Sequence, residues 1–317
     1  MKNKINILIT GGAGFIGSNL AKFFSEKENT QVTIIDNFSI GNVENLKEIS
    51  NSNNVDIIEG DIRDSEMMLK VIKRVDYISH QAALGSVGRS ISNPLQSHDN
   101  NVNGFLNILE SIRLSNKKIK LVYASSSSVY GDSQSLPKKE NKLGDLLSPY
   151  ALTKKINEYY ANIYYKTYGI SSIGLRYFNV FGPNQMHNNP YAAVIPIFCN
   201  CFITNQNPKI FGDGTTSRDF TYVENVLQAN FKALTTEIDG SSVLNIGCGD
   251  QISLNELVNC LCKISKKNLI AEFHEFRPGD VKHSNADITK AKNLIGYNPN
   301  ISFIEGLKKT YKWNKSR

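Results

Sequence analysis

The chain has 317 residues, 40% of them hydrophobic and 21% charged, and carries a formal net charge of +7. That length suggests about two domain-sized lobes with a sizeable core, and the composition excludes a disordered, collagen-like or disulfide-scaffold protein. The basic residues are scattered, apart from the tail Lys308, Lys309, Lys312, Lys315 and Arg317. Without an RNP-like aromatic motif or a zinc-finger spacing, they read as a solvated surface, not a nucleic-acid footprint.

The first apolar run, Asn6 to Thr10, follows lysines but is broken by Gly11 and Gly12, so it reads as a strand and is too short for a signal sequence. Residues 5–17 are I-N-I-L-I-T-G-G-A-G-F-I-G, which places Gly11, Gly14 and Gly17 between that strand and a helix predicted near 15–28. In this context the first glycine allows a tight turn, the second lets backbone approach a pyrophosphate, and the third lets helix pack on strand. The helix N-terminus adds free N–H groups and partial positive charge, with Phe15 and Ile16 in its first turn. A second strand, Val32 to Asp36, ends on a carboxylate suited to accept from ribose hydroxyls and to repel a 2′-phosphate. The reading is an NAD site; the bland alternative is that Asp36 only caps a turn with Asn37.

Further strands are predicted at Val55 to Glu59, Val75 to Ser79, Ile119 to Ala124 and Ser172 to Arg176, with helices near 64–73, 94–115 and 148–168. Ser148-Pro149 opens the last helix well, because Ser caps and Pro suits the first helical position. This alternation predicts an α/β fold with a doubly wound parallel sheet of the Rossmann type. Asp61-Ile62 and Gln81-Ala82-Ala83 fall just past strand C-terminal ends, where ligands gather in such sheets. After about residue 180 the pattern becomes irregular, with Pro183, Pro190, Pro196 and Pro208 and one more strand at Ser242 to Ile246. We therefore expect a cofactor domain over 1–180 and a smaller substrate lobe over 181–317, with the strand near 242–246 returning to the sheet.

Tyr191 to Ile203 is interrupted by Pro196 and Asn200 and cannot span a bilayer, which needs about 20 apolar residues. Cys199, Cys201, Cys248, Cys260 and Cys262 contain no C-x-x-C, so they read as free thiols in a reducing cytosol, with no metal site. The expectation is a cytoplasmic, soluble protein.

The fifth strand runs into Ser125-Ser126-Ser127-Ser128-Val129-Tyr130-Gly131, and the helix after it begins Pro149-Tyr150-Ala151-Leu152-Thr153-Lys154. Tyr150 and Lys154 are four apart and share a helix face. A Tyr titrates near about 10, so a phenolate base at neutral pH needs roughly 4 kcal/mol of stabilisation. A nearby ammonium, an oxidised nicotinamide and a helix N-terminus all act in that direction. By itself Y-x-x-x-K is a common structural spacing; the glycine turn upstream is what raises it above background.

The set G-G-A-G-F-I-G, D-N, G-D-I, S-S-S-x-V-Y-G and Y-A-L-T-K resembles the extended short-chain dehydrogenase/reductase family of sugar-nucleotide enzymes. Further matches are R-Y-F-N-V-F-G-P at 176–183, F-G-D-G at 211–214, S-R-D-F at 217–220, N-I-G at 245–247 and R-P-G-D at 277–280, so the resemblance covers nearly the whole chain. It implies Tyr150 as catalytic base, Lys154 as its partner and Ser126 as a relay to a sugar hydroxyl. It also implies cofactor contacts at Tyr177 and Asn37. Substrate contacts are implied at Gly85, Ser86, Ser127, Ser128, Ala193, Val194, Phe211, Asp280 and Ser284, with Asn179, Arg218 and Arg277 near a nucleotide diphosphate, where a guanidinium fork matches phosphate oxygens.

Within that family, dehydratases and decarboxylases carry acidic residues where Ser126, Ser127 and Ser128 stand here. Their absence argues for C4 epimerisation: oxidation at sugar C4, turning of the 4-ketose, and reduction from its other face. Segments 81–87 and 276–287 are most similar to bacterial 4-epimerases of UDP-N-acetylhexosamines or their uronic acids. The small Ser284, at a position where a bulky Tyr restricts the pocket, is expected to admit an N-acetyl group. The leading expectation is UDP-GlcNAc/UDP-GalNAc 4-epimerisation; the alternatives are the corresponding uronates, UDP-glucose/UDP-galactose, or a non-catalytic NAD-binding module. Gly88 stands where a proline is expected after S-V, which is expected to loosen the loop carrying Ser86. The resemblance also implies a homodimer pairing through helices 94–115 and 148–168.

Overall fold

A computed structural model describes residues 4–188, 191–276 and 281–317. Its first elements alternate as expected: β1 (Ile5–Thr10), α1 (Phe15–Ser25), β2 (Thr30–Asp36), β3 (Val55–Glu59), α2 (Ser65–Ile72), β4 (Tyr77–His80), α3 (Val87–Ser92), α4 (Pro94–His98), α5 (Gly104–Ser115), β5 (Lys120–Ser126), α6 (Pro149–Tyr168) and β6 (Ser172–Tyr177). Then come β7 (Val180–Phe181), α7 (Val194–Thr204), β8 (Lys209–Phe211), β9 (Ser217–Arg218), β10 (Thr221–Tyr222), α8 (Val223–Thr235), β11 (Ser241–Ile246), β12 (Ile252–Ser253), α9 (Leu254–Ser265), β13 (Glu272–His274), β14 (His283–Ser284), α10 (Thr289–Ile295) and α11 (Phe303–Lys315). No helix among the described residues is long and apolar enough to cross a membrane.

The chain forms two compact units, each assembled from three segments; the sequence suggested a boundary near 180 with the second lobe partly interwoven with the first through the strand near 242–246. The first comprises Met1–Val129, Ser148–Arg176 and Ala229–Leu244; the second comprises Tyr130–Leu147, Tyr177–Gln228 and Asn245–Arg317.

The main sheet is parallel and seven-stranded, in the order β11-β6-β5-β4-β1-β2-β3. This is the doubly wound order, with its reversal point between β1 and β4, where such sheets bind ligands. Ile7, Leu8 and Ile9 of β1 are all buried, as a central strand covered on both faces requires. One face packs Leu8, Ile35, Ile78 and Leu121 against Met68 and Ile72 of α2 and Phe105, Ile108 and Ile112 of α5. The helix predicted over 94–115 is interrupted by a π-turn at Asp99–Asn103. There Asn101 turns inward: its Oδ1 accepts from Leu84 N at 2.7 Å and its Nδ2 donates to Thr153 Oγ1 at 3.1 Å.

The longest helix, α6, is placed by a buried ion pair. Arg176, in β6, donates from two nitrogens to both carboxylate oxygens of Glu158, each at 2.8 Å, and Ser125 Oγ donates to the same carboxylate at 2.7 Å. Burial raises the Glu158 carboxyl, but the hydrogen bonds and charge of Arg176 outweigh it and hold the group below its ordinary value. Removing Arg176 leaves the buried Glu158 carboxylate with only Ser125 and Lys155 Nζ, at 3.1 Å, as partners. Arg176→Leu should therefore cost about 3–5 kcal/mol, and Arg176→Leu with Glu158→Met should recover most of that loss. Chemical denaturation of the two variants checks this; equal stability of the single and double variants would refute it.

Candidate active site

β1 leads straight into the glycine turn. Gly11 has φ +68°, and a Cβ there would lie 2.7 Å from the Ala82 backbone. A Cβ on Gly17 would lie 2.1 Å from Gly11 O, so α1 can pack this close to β1 only with glycine at that position. Gly14 caps α1 without a side-chain acceptor, and no acidic residue occupies the first turn, where Phe15 and Ile16 sit half-buried. The helix N-terminus thus retains its affinity for an anion.

Asp36 ends β2 and is buried; Oδ2 accepts from Ala13 N at 2.9 Å and Oδ1 from Phe38 N at 2.8 Å. A carboxylate has about four acceptor positions, so capping this turn leaves capacity for ribose hydroxyls. Gly41, which the sequence reading missed, keeps that place open, because a Cβ on it would fall 2.8 and 2.9 Å from the two carboxylate oxygens. These features fit a dinucleotide.

The neighbouring strand ends also carry contacts within the fold. Asn37 donates to Asp61 Oδ2 at 2.8 Å, and Arg63 hydrogen-bonds Asp61 and Asp99. The Arg63 side chain is the chief cause that holds the Asp61 carboxyl well below its usual range. Ile62 buries its side chain in the α2–α5 core, while its carbonyl accepts from Asn107 Nδ2 at 2.6 Å. Gln81 Nε2 donates to Ser79 Oγ at 3.0 Å and Asn230 Oδ1 at 3.2 Å, and Ala82 N donates weakly to Thr10 Oγ1 at 3.4 Å. Ala83 follows half-buried. His80, buried beneath this layer, pairs Nδ1 with Thr10 Oγ1 at 2.8 Å, and burial pushes it down to about 3, so it is neutral.

Tyr150 lies in the first turn of α6, where Ser148 Oγ accepts from Ala151 N at 3.1 Å and Pro149 occupies the first helical position. The Ser126 hydroxyl lies near enough to the Tyr150 phenol to favour its ionised form. Lys154 is buried; its Nζ donates to Ala124 O at 2.8 Å and lies 6.0 Å from the Tyr150 ring centroid. Ser126, Tyr150 and Lys154 are thus brought together. The Tyr150 phenol nevertheless stands above its ordinary value, because burial outweighs the Ser126 hydrogen bond. Burial also lowers Lys154 to about 8. The depression expected for Tyr150 thus requires positive charge beyond what this chain supplies.

Ser125 is spent on Glu158; Ser128 N donates to Ser126 Oγ at 3.1 Å, and Ser128 Oγ is buried with no hydrogen-bond partner among the described residues. Ser127 is half-buried. Around Gly85 a Cβ would find open space. Ser86 caps α3, accepting from Arg89 N at 3.2 Å, and Gly88 lies in the first turn of that helix.

The second unit carries the remaining expected residues. Tyr177 is buried, and Asn179 has φ +26° with its carbonyl accepting from Thr221 N at 3.2 Å. Ala193 caps α7, whose first residue is Val194. Phe211 lies 5.5 Å from the His274 ring. Arg218 and Ser284 are register partners in the parallel β9–β14 pair and so share one face. On the other face Ser217 Oγ pairs with His283 Nδ1 at 2.7 Å, and Arg218 Nη1 donates to Ser217 O at 2.9 Å and Lys282 O at 3.2 Å. Arg277 and Asp280 lie outside the described residues.

A glycine-turn dinucleotide site and a Ser–Tyr–Lys group on one parallel sheet define the class of extended short-chain dehydrogenase/reductases. Within that class the chain belongs to the family described as GDP-mannose 4,6 dehydratase, which it matches over residues 8–310. It is similar to the UDP-N-acetylglucosamine 4-epimerase of Methanobrevibacter ruminantium M1 in complex with UDP-N-acetylmuramic acid: 38% identity, TM-score 0.94, covering 100% of this chain and 99% of that one. It is also similar to the UDP-glucose 4-epimerase of Thermotoga maritima with UDP-glucose: 35% identity, TM-score 0.92, covering 98% and 99%. A third similar structure is the UDP-glucuronic acid 4-epimerase of Bacillus cereus with UDP-glucuronic acid and NAD: 32% identity, TM-score 0.90, covering 98% and 99%.

Lys154 gives a test of the site's electrostatics. Its pKa falls from about 10.4 unfolded to about 8 folded, so the cost of burying its charge is present at neutral pH and is relieved as pH rises through that window. Between pH 8 and 10 the wild type should gain about 2 kcal/mol relative to Lys154→Met. Parallel denaturation curves for the two proteins across that range would refute the assignment.

Proposed function

We propose that this chain is an NAD-dependent 4-epimerase of UDP-sugars, an isomerase, with UDP-N-acetylglucosamine and UDP-N-acetylgalactosamine as its substrates. The carrying observation is the Ser126–Tyr150–Lys154 group with serines, not carboxylates, at 126–128. A 4,6-dehydratase must also eliminate water across C5–C6, which calls for an acid and a base that this segment lacks. The three similar structures, each an epimerase of a UDP-sugar, support the same reaction.

When bound, NAD supplies the hydride acceptor for C4, the donor for its return, and a positive charge beside the phenol. The chain supplies the proton path. Tyr150 takes the C4 hydroxyl proton through Ser126 as that carbon is oxidised, and returns it when the 4-ketose is reduced from its other face. Lys154 contributes charge that favours the phenolate. Arg218 meets the diphosphate, and the small Ser284 on the same face leaves room for an N-acetyl group. Substrate enters and leaves as an isomer pair with no net redox change, so the cofactor need not leave the site.

Proton NMR of the anomeric signals during incubation with separate UDP-sugars tests this reading. The acetylated pair should interconvert faster than UDP-glucose or the uronates; better turnover of either alternative would replace the substrate assignment, and a 4-keto-6-deoxy product would overturn the reaction. Tyr150→Phe should keep NAD bound and lose at least about 10²-fold in rate. Ser284→Tyr should suppress acetylated substrates more than UDP-glucose, and an equal loss on both would remove Ser284 as the gate.

We also propose a homodimer. Leu152, Tyr159 and Ile163 of α6 are 48%, 60% and 52% exposed, and with half-buried Ile156 they form one apolar stripe at helical spacing. Leu95 in α4, which packs on α6, is 83% exposed. A second copy covers this surface. Analytical ultracentrifugation should show a dimer for the wild type and monomers for Tyr159→Asp/Ile163→Asp; a monomeric wild type would refute the pairing.

A further inference from the structure

Asp219 follows Arg218 directly and has no exposed surface. Its Oδ1 accepts from Cys248 N at 2.8 Å, while Oδ2 accepts from Gly249 N at 2.9 Å and Ala286 N at 3.0 Å. Among the described residues no cation pairs with it. A buried carboxylate held only by backbone N–H groups is expensive relative to an apolar side chain of similar size, so fold stability alone is a poor reason for it.

What the carboxylate does is bind both neighbours of β9. On one side β9 pairs with the two-residue β12, antiparallel, matching Ile252 with Arg218. On the other it pairs with the two-residue β14, parallel, matching Ser284 with Arg218. Pairings this short specify register weakly, and a slip of one residue would carry Ser284 to the opposite face. The Cys248 and Gly249 bonds hold the segment just before β12, and the Ala286 bond holds the segment just after β14. The carboxylate comes this close because residue 247 is glycine: a Cβ there would lie 2.6 Å from Asp219 Oδ2 and 2.8 Å from Ala286 Cβ. Tyr297 Oη fixes the same turn from outside by donating to Gly247 O at 2.9 Å.

The consequence reaches Arg218. Its Nη1 donates to the carbonyl of Lys282, the residue just before β14, so the position of the guanidinium depends on where β14 lies. We infer that Asp219 is a positioning residue for the nucleotide end of the substrate, acting through Ala286 and β14 on Arg218 and Ser284. This rests on the proposed reading that Arg218 meets a UDP diphosphate.

Two variants of the NAD-loaded enzyme test it, neither altering a group that touches substrate. Asp219→Asn keeps one accepting oxygen and turns the other into a donor facing N–H groups; Gly247→Ala pushes on the same carboxylate while leaving it charged. With UDP as titrant in calorimetry, both should bind at least about tenfold more weakly than wild type. KM for the UDP-sugar should rise in step, kcat should stay within about twofold, and NAD content should not change. Wild-type UDP affinity in both variants, or a loss of kcat at unchanged KM, would overturn the inference. If Asp219→Asn does not fold, Gly247→Ala decides alone. Wild-type protein that binds no UDP would instead refute the reading of Arg218 on which the inference stands.

Discussion

The buried contact among Glu158, Arg176 and Ser125 is the constraint on which the reactive group depends. Glu158 lies one helical turn beyond Lys154, and Ser125 precedes Ser126 in β5. A single carboxylate therefore ties the helix carrying Tyr150 and Lys154 to the strand carrying Ser126 and to the next strand through Arg176. Such a pair adds little net stability over a well-packed apolar substitute, because desolvating two ions offsets most of their attraction. Its value lies in direction: two hydrogen bonds from a planar guanidinium leave the helix little freedom to slide or rotate.

The same economy recurs where geometry must be held near a ligand. Asn101, released by the π-turn from the regular ladder, clamps the backbone at Leu84 and reaches Thr153 on α6. Asp36 organises its own turn with two backbone N–H groups before any ribose is present. In the second unit Asp219 gathers N–H groups from two distant segments. In each case a short polar side chain fixes backbone just beyond the end of a regular element.

The electrostatics of the reactive group are those of a poised rather than an active base. Burial lifts the Tyr150 phenol and lowers the Lys154 ammonium to about 8, so the protein alone shifts each group toward its neutral form while leaving Lys154 mainly charged at neutral pH. A dinucleotide carrying positive charge on its ring changes that balance in the direction the chemistry needs. On the proposed reading of Tyr150 as the base, this coupling confines proton abstraction to the cofactor-loaded protein.

The cofactor half was legible in the sequence because its signals are local. G-x-x-G-x-x-G between a strand and a helix, a carboxylate at the end of the next strand and a capped helix bearing Tyr150 and Lys154 each depend on near neighbours in the chain. The second half read as irregular, yet it contains α7 to α11 and a set of two- and three-residue strands. Those strands are too short to show a period of two, and prolines masked the helical pattern of α7. Residues that the sequence marked only as motif members, such as Tyr130, Asn245 and Gly247, turn out to hold backbone: Tyr130 Oη donates to Asn245 Oδ1 at 2.6 Å, and Asn245 Nδ2 reaches Lys138 O at 2.8 Å. By itself the sequence determined the parallel sheet, the glycine turn and the spacing of the Tyr–Lys pair, since each is written in short-range geometry. Only the tertiary structure decided that Asp61 pairs with Arg63 while the Ile62 side chain packs in the core, that Ser284 faces the same way as Arg218, and that Asp219 binds Cys248, Gly249 and Ala286. Those outcomes depend on groups dozens of residues apart meeting in a buried place, where most polar atoms must find a partner.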